Sequence, residues 1–225
     1  PLKNAVLKGH STYHAIRQII FESMKDASLD AEPMETLKWI AYEKWSGKNK
    51  QLPEFQCPHC EQDKATLPYD AEEGKCPKCG GHLYITDMLG FHQIMLEDYA
   101  PESVASDYMM VHETMLLFTG IRYFWENNRK VLHTCLFIKD GTLSIRAQYS
   151  KLVNPIRRFL AYARDQGYPI CILGQEKSGN FYDHLELISK NAPMNSIFIP
   201  GDQYIKEEVQ HRPAQGRPYG LDTNY

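Results

Sequence analysis

The stretch from 57 to 81, "CPHCEQDKATLPYDAEEGKCPKCGG", constrains the fold of this chain more than any other. Two residues separate Cys57 from Cys60 and Cys76 from Cys79, and 15 residues lie between the pairs. That spacing lets both thiolates of one knuckle reach a common ion, and four thiolates at about 2.3 Å satisfy tetrahedral zinc. The intervening residues suit a hairpin that brings the knuckles together, with Gly80 and Gly81 helping the turn after the second pair. The expected element is a zinc ribbon; two reduced thiol pairs without metal are the plainer alternative, which the polar, loop-like flanks disfavour. His59 and His82 are near enough to compete as ligands, but four cysteines make them unnecessary. Four closed ligands leave no open position for water, so this ion is structural and chemistry must be sought elsewhere.

A chain of 225 residues can bury a sizeable core, as one domain with an insertion or as two small ones. Its net charge of −3 announces no global basic field, so any nucleic-acid contact has to rest on a local groove. No apolar run approaches the roughly 20 residues that cross a bilayer, and no charged-then-apolar leader opens the chain. The other two cysteines, Cys135 and Cys171, sit singly inside apolar runs. The cysteines read as reduced, which points to the cytoplasm.

Three regions follow: a helical segment at 1–50, the ribbon at 51–84, and an α/β region at 85–225. In the first, Ile16, Ile19, Ile20 and Met24 recur at helical spacing behind Ser11, a plausible N-cap. "PMETLKWIAYEKWSG" predicts a second helix running from Pro33 to Gly47. In the third, "PESVASDYMMVHETMLLFTGIRYFWENN" is a long amphipathic helix and "VLHTCLFIKDG" a strand ending in a turn. "YSKLVNPIRRFLAYARDQG" is a helix whose regular part is expected after Pro155, "YPICILGQEKSG" a second strand, and "NSIFIP" a third.

The strand–helix–strand stretch from Leu132 to Gly174 predicts two parallel neighbours joined by a right-handed crossover. Their carboxyl ends then share one edge of the sheet, where ligands of open α/β sheets gather. One end carries Asp140-Gly141, the other Glu176-Lys177-Ser178-Gly179. Either these are two ordinary polar turns, or a metal-binding carboxylate and a phosphate-facing lysine converge there.

On the long helix, Glu113 has Met109 and Met110 one turn before it and Leu116 and Leu117 one turn after it. This sets its carboxylate in an apolar face, where it needs a neighbour's hydrogen bond, a proton or a metal. Glu126 differs, because Arg122, Arg129 and Lys130 flank it and describe a solvated face.

"CLFIKDGTLSIRAQYSKLVNPIRRFL" followed by "ILGQEKSGNFYDHL" resembles the NurA nucleases, whose signature is a strand ending in Asp-Gly-x-Leu and a later strand ending in a Lys-Ser/Thr turn. "LYITDMLGFH" after a four-cysteine ribbon and "RPYGLDTNY" near the end resemble bacterial members with that insertion. The resemblance covers roughly residues 83 to 225. It implies an RNase H-like sheet flanked by helices, and a manganese- or magnesium-dependent DNA nuclease. It further implies a homodimer working with a hexameric HerA-like ATPase in DNA end resection or phage defence. Position by position, Asp140 matches the family's second metal-binding aspartate, Glu113 the helical glutamate before it, and Lys177 the turn lysine. The family's first metal-binding aspartate, on an early strand in an Asp-Gly-Ser-like context, has no counterpart before the ribbon. Of the family's late Tyr and His, Tyr219 falls in a suitable context and His211 matches poorly. The departure reads as the central and C-terminal part of a longer protein, or as one member of a split pair.

DNA hydrolysis needs an activated water and neutralisation of the transition-state charge, which divalent ions held by Asp and Glu supply. Oxygen ligands suit Mg2+ and Mn2+, and Lys177 adds a point charge. The ribbon's Lys64, Lys75 and Lys78 permit DNA contact without compelling it. Two other classes stay open: a zinc-ribbon adaptor that binds DNA or a protein without catalysis, and a nucleotide-binding α/β protein. Against the latter, "DGTL" and "KSGN" lack the spacing of a glycine-rich phosphate loop.

Overall fold

The computed structural model describes residues 11–28, 31–47, 52–91, 100–141, 143 and 150–211. The chain divides into two compact units, one of Pro1–Phe137 with Gln148–Cys171 and one of Ile138–Ala147 with Ile172–Tyr225. This differs from the three regions at 1–50, 51–84 and 85–225. The long helix and the crossover helix pack with the N-terminal helices and the ribbon, because their apolar faces fit that core.

The first unit starts with α1 (Thr12–Asp26), capped by Ser11, whose hydroxyl accepts from the His14 amide at 3.3 Å. Ala15, Ile16, Ile20, Phe21 and Met24 form its buried face. Helix α2 (Pro33–Ala41) begins at its proline and ends six residues before Gly47. Glu43 breaks it with a left-handed φ of 50°, and its buried carboxylate accepts from Arg158 Nε at 2.6 Å. A single 3-10 turn, Lys44–Ser46, completes the segment.

Helix α3 (Ala100–Asn127) turns Val104, Asp107, Val111, Met115, Phe118 and Trp125 inward. A buried hydroxyl pair, Thr119 to Thr36 at 2.9 Å, joins it to α2. The strand expected from Val131 starts later, because α4 (Arg129–Leu132) takes the first residues and β3 covers Leu136–Asp140. Helix α5 (Ser150–Asp165) runs through Pro155 instead of starting after it. The bond that Pro155 cannot make belongs to the carbonyl of Lys151, an exposed residue whose backbone water can serve. Phe159 of α5 is the hub of an aromatic cluster, with Trp39, Trp125 and Trp45 ring centroids at 4.7, 5.3 and 5.7 Å.

The second unit is thinly packed. Strand β4 (Cys171–Gln175) pairs with β3 in a two-stranded sheet. Helix α6 (Asn180–Ser189) buries none of its side chains. A last turn of helix, α7 (Asp202–Tyr204), passes into a wider π turn, Ile205–Val209. Ile205 and Val209 are the buried apolar side chains of this unit among the described residues. The strand expected at "NSIFIP" is not formed: residues 196–200 have no regular structure, and Ile197 and Ile199 are 88% and 85% exposed. A strand there would need a neighbouring edge to pair with. The fold is thus mixed α/β with two small sheets. Among the described residues no helix is long and apolar enough to cross a membrane.

Candidate metal centre and the Asp140–Lys177 edge

The four predicted cysteines meet. The sulfurs of Cys57, Cys60, Cys76 and Cys79 all lie within 4.8 Å of one another, with Cys57–Cys79 and Cys60–Cys76 both at 3.8 Å. Thiolates about 2.3 Å from one ion at tetrahedral angles stand about 3.8 Å apart, so the donor set has the size zinc requires. The two knuckles repeat one backbone pattern. Cys57 N donates to Gln62 O and Glu61 N to Cys57 O, at 2.8 and 2.9 Å. Cys76 N donates to Gly81 O and Gly80 N to Cys76 O at the same two distances. The fifth residue of each knuckle is left-handed: Glu61 with φ 56° and Gly80 with φ 73°. In sequence the pairs look alike only in their cysteines and prolines; the backbone makes them equivalent.

A hairpin of β1 (Glu73–Lys75) and β2 (His82–Tyr84) carries the second knuckle, with Gly74 opposite Leu83. A bridge between Phe55 and Ala65 closes the first. Burial pushes the Cys57 thiol up to about 12. At Cys76 burial also acts upward, but the Cys79 and Lys78 amides outweigh it and bring the thiol down to about 7. Four thiols this close ionise together only when a cation joins them.

The ribbon is built into the first unit. Beneath it, Lys38 of α2 is buried and donates to Glu35 at 2.6 Å, with Asp70 at 3.2 Å. Asp70 thereby ties α2 to the loop before β1. The Tyr42 hydroxyl donates to Ala71 O at 2.7 Å, and burial raises its pKa well beyond the usual range. His59 and His82 stand outside the thiolate set: His59 Nε2 contacts the His82 carbonyl at 2.8 Å, and His82 Nε2 contacts Glu73 at 3.0 Å. Lys64, Lys75 and Lys78 are exposed.

At the second candidate site, the carboxyl ends of β3 and β4 lie side by side, because Gly141 N donates to Gln175 O at 2.8 Å. Lys177 Nζ reaches Asp140 Oδ2 at 2.8 Å across 37 positions of sequence. That hydrogen bond and charge hold the Asp140 carboxyl below the ordinary aspartate value. Both side chains are about two-thirds exposed, at 66% and 67%. Gly141 turns with φ 84°, a conformation that favours glycine. Gly174 of β4 is also required, since a Cβ there would sit 2.8 Å from Gly141 O and 2.9 Å from Leu143 N. A lone glycine within a strand signals such a close approach.

Glu113 is not set in an apolar face. It is exposed, because Met109 and Leu116 beside it also point outward, at 60% and 37% exposure. Helix α3 carries apolar residues on both sides, and the inward stripe is the other one. Glu126 lies on a solvated face with Arg122 Nε 3.4 Å away. Glu113 belongs to the first unit and Asp140 to the second. His211 is exposed, and Tyr219 lies outside the described residues. Among the described residues, the four cysteines are the one group of three or more Cys, His, Asp or Glu with metal-binding geometry. Arg17 and Asp87, a buried pair at 2.7 Å beside the ribbon, belong to no motif, and their one signal in the sequence is an arginine amid the isoleucines of α1. Comparison with family models, curated proteins and solved structures finds no match to this chain.

Proposed function

We propose that this chain is a subunit of a divalent-metal-dependent DNA nuclease of the NurA type, with β3 and β4 part of an RNase H-like sheet. It acts on DNA as a homodimer alongside a HerA-like hexameric ATPase, in end processing or phage defence. One observation carries the reading: Asp140 and Lys177, singled out by the resemblance, meet at 2.8 Å where two strand ends lie together. An ionised, exposed carboxylate is an oxygen ligand suited to Mg2+ or Mn2+. Bound there, the ion supplies an activated water and offsets charge building on the phosphorus. Lys177 places an ammonium where a phosphate oxygen can compete with Asp140 for it. Asp140 alone does not complete a catalytic metal site, which needs further oxygen ligands. Glu113 enters only through the resemblance. Zinc is held apart from this chemistry by Cys57, Cys60, Cys76 and Cys79.

The test is cleavage of labelled duplex and single-stranded DNA in Mn2+ by the full-length protein, with and without the ATPase. Asp140→Asn keeps the shape and removes the ligand charge, so activity falls by orders of magnitude while zinc content stays at wild-type level. If Asp140 only starts a turn, Asn serves there as well and activity holds. That result rejects Asp140 as a metal ligand. No cleavage by the unmutated protein, with or without the ATPase, favours a second reading, a zinc-ribbon adaptor without catalysis, which the closed four-thiolate site and the lack of a carboxylate cluster among the described residues support.

A further inference from the structure

A buried polar cluster lies where α1 meets the ribbon, and neither the thiolates nor the Asp140 edge accounts for it. Arg17, 4% exposed, spends its guanidinium on several acceptors. Nε and Nη2 donate to the two Asp87 oxygens at 2.8 and 2.7 Å, and Nη2 also donates to the His82 carbonyl at 2.9 Å. Nη1 donates to His14 Nδ1 at 2.9 Å. His59 Nε2, inside the first knuckle, approaches the same His82 carbonyl at 2.8 Å. A carbonyl only accepts, so His59 carries its proton on Nε2, and the 3.3 Å approach of Arg17 Nη1 to that atom is a packing contact. One carbonyl therefore joins the first knuckle, the strand leaving the second knuckle, and α1.

The rest of that helix face lies against the same structure. Tyr13 donates to Pro58 O at 3.1 Å, between the cysteines of the first knuckle. The His14 ring stacks on His59 at 4.7 Å, and Phe21 stacks on Tyr84 of β2 at 4.5 Å. Tyr13, His14, Arg17 and Phe21 fall on one side of a helix, at spacings of one, three and four residues. Asp87 answers the charge of Arg17 and also accepts from Tyr84 N at 2.8 Å, which holds the end of β2. The task of Arg17 at the ribbon is thus geometric, and it depends on a planar fork of donors.

We propose that α1 forms an outer wall of the zinc site. Arg17 is a positioning residue that clamps the two knuckles together through the His82 carbonyl, so zinc binding and the docking of α1 are one coupled event. Groups around a metal's ligands ordinarily tune affinity by 10- to 100-fold.

The zinc-loaded full-length protein tests this in two ways. In the first, hydrogen exchange is compared before and after zinc removal by a chelator. Amides of α1 lose protection together with the ribbon, while α3 from 104 to 125 keeps it. Unchanged protection of α1 would overturn the proposal, and so would simultaneous loss in α1 and α3, which means general unfolding. In the second, zinc release to a chromogenic chelator is timed for Arg17→Met, Arg17→Lys and Phe159→Leu at a temperature where far-UV circular dichroism remains native. Release is at least about tenfold faster in both Arg17 variants, since lysine restores the charge but not the fork. It stays at the wild-type rate in Phe159→Leu. A wild-type rate in Arg17→Met refutes the clamp, as does equal acceleration in Phe159→Leu. If the Arg17 variants do not fold, the exchange measurement on the unmutated protein decides alone.

Discussion

The two units are built by opposite means. The first is held twice over, by an aromatic core centred on Phe159 and by four cysteines that α1 and α2 embrace through Arg17 and Lys38. The second has a two-stranded sheet, a helix without a buried side chain, and only Ile205 and Val209 buried among its described apolar residues. Yet the second carries Asp140 and Lys177. Mechanical strength and candidate chemistry are thus separated: exposed charge is cheap to keep where little is packed, and metal geometry is best kept where much is packed.

The largest effect that could break this contrast is loss of the metal. Cys76→Ala should reduce zinc from about one ion per chain to none by metal analysis and melt the ribbon with its docked helix. Structural zinc sites contribute on the order of 10 kcal/mol when folding and binding are linked. Zinc retained in Cys76→Ala would remove the ribbon from the first unit's supports.

Next come paired truncations in the two units. Phe159→Ala should cost about 3–5 kcal/mol in denaturant unfolding, from a cavity in a rigid core. Leu187→Ala on α6 should stay within about 0.5 kcal/mol, since that side chain is 72% exposed. Equal costs would mean that the second unit is packed in solution against something else. A mid-sized effect belongs to Gly174→Ala, at about 1–3 kcal/mol, because the new methyl collides with backbone of the turn that bears Asp140. Shifted carboxyl resonances of Asp140 would accompany it.

The smallest effect concerns the ion pair. The Asp140 carboxyl is lowered, chiefly by its hydrogen bond to Lys177. A lowered acid stabilises the fold above its ordinary pKa, near 3.9, and loses that contribution as pH falls through the lowered value. Lys177→Met should return the Asp140 titration upward, read by carbon NMR of the carboxyl, with hardly any change in melting temperature because the pair is exposed. An unmoved titration would show that the pair does not persist in solution.

Part of this protein could be read without coordinates. Ser11, Pro33, the two cysteine pairs and the strands ending at Asp140 and Gln175 are local signals: a cap, a helix start, a ligand spacing and an apolar run each state their geometry within a few residues. The misreadings share one cause. At Glu113, at "NSIFIP" and at the start of the α5 helix, neighbours in sequence do not settle the structure, because burial depends on which face finds a partner. Helix α3 offers apolar residues on two sides, and only packing against α2 selects the stripe through Met115 and Phe118.

What the sequence determined by itself is the four-cysteine cluster, because two Cys-x-x-Cys pairs at this spacing supply four sulfurs at the distances a tetrahedral zinc site requires, whatever surrounds them. The strand–helix–strand pattern brings Asp140 and Lys177 to one edge, but tertiary structure alone decided that they touch, that Gly174 makes room for the turn, and that Arg17 joins α1 to the His82 carbonyl. Those contacts link residues far apart in the chain, and no local pattern encodes them, since each depends on where the intervening helices are driven by the burial of other side chains.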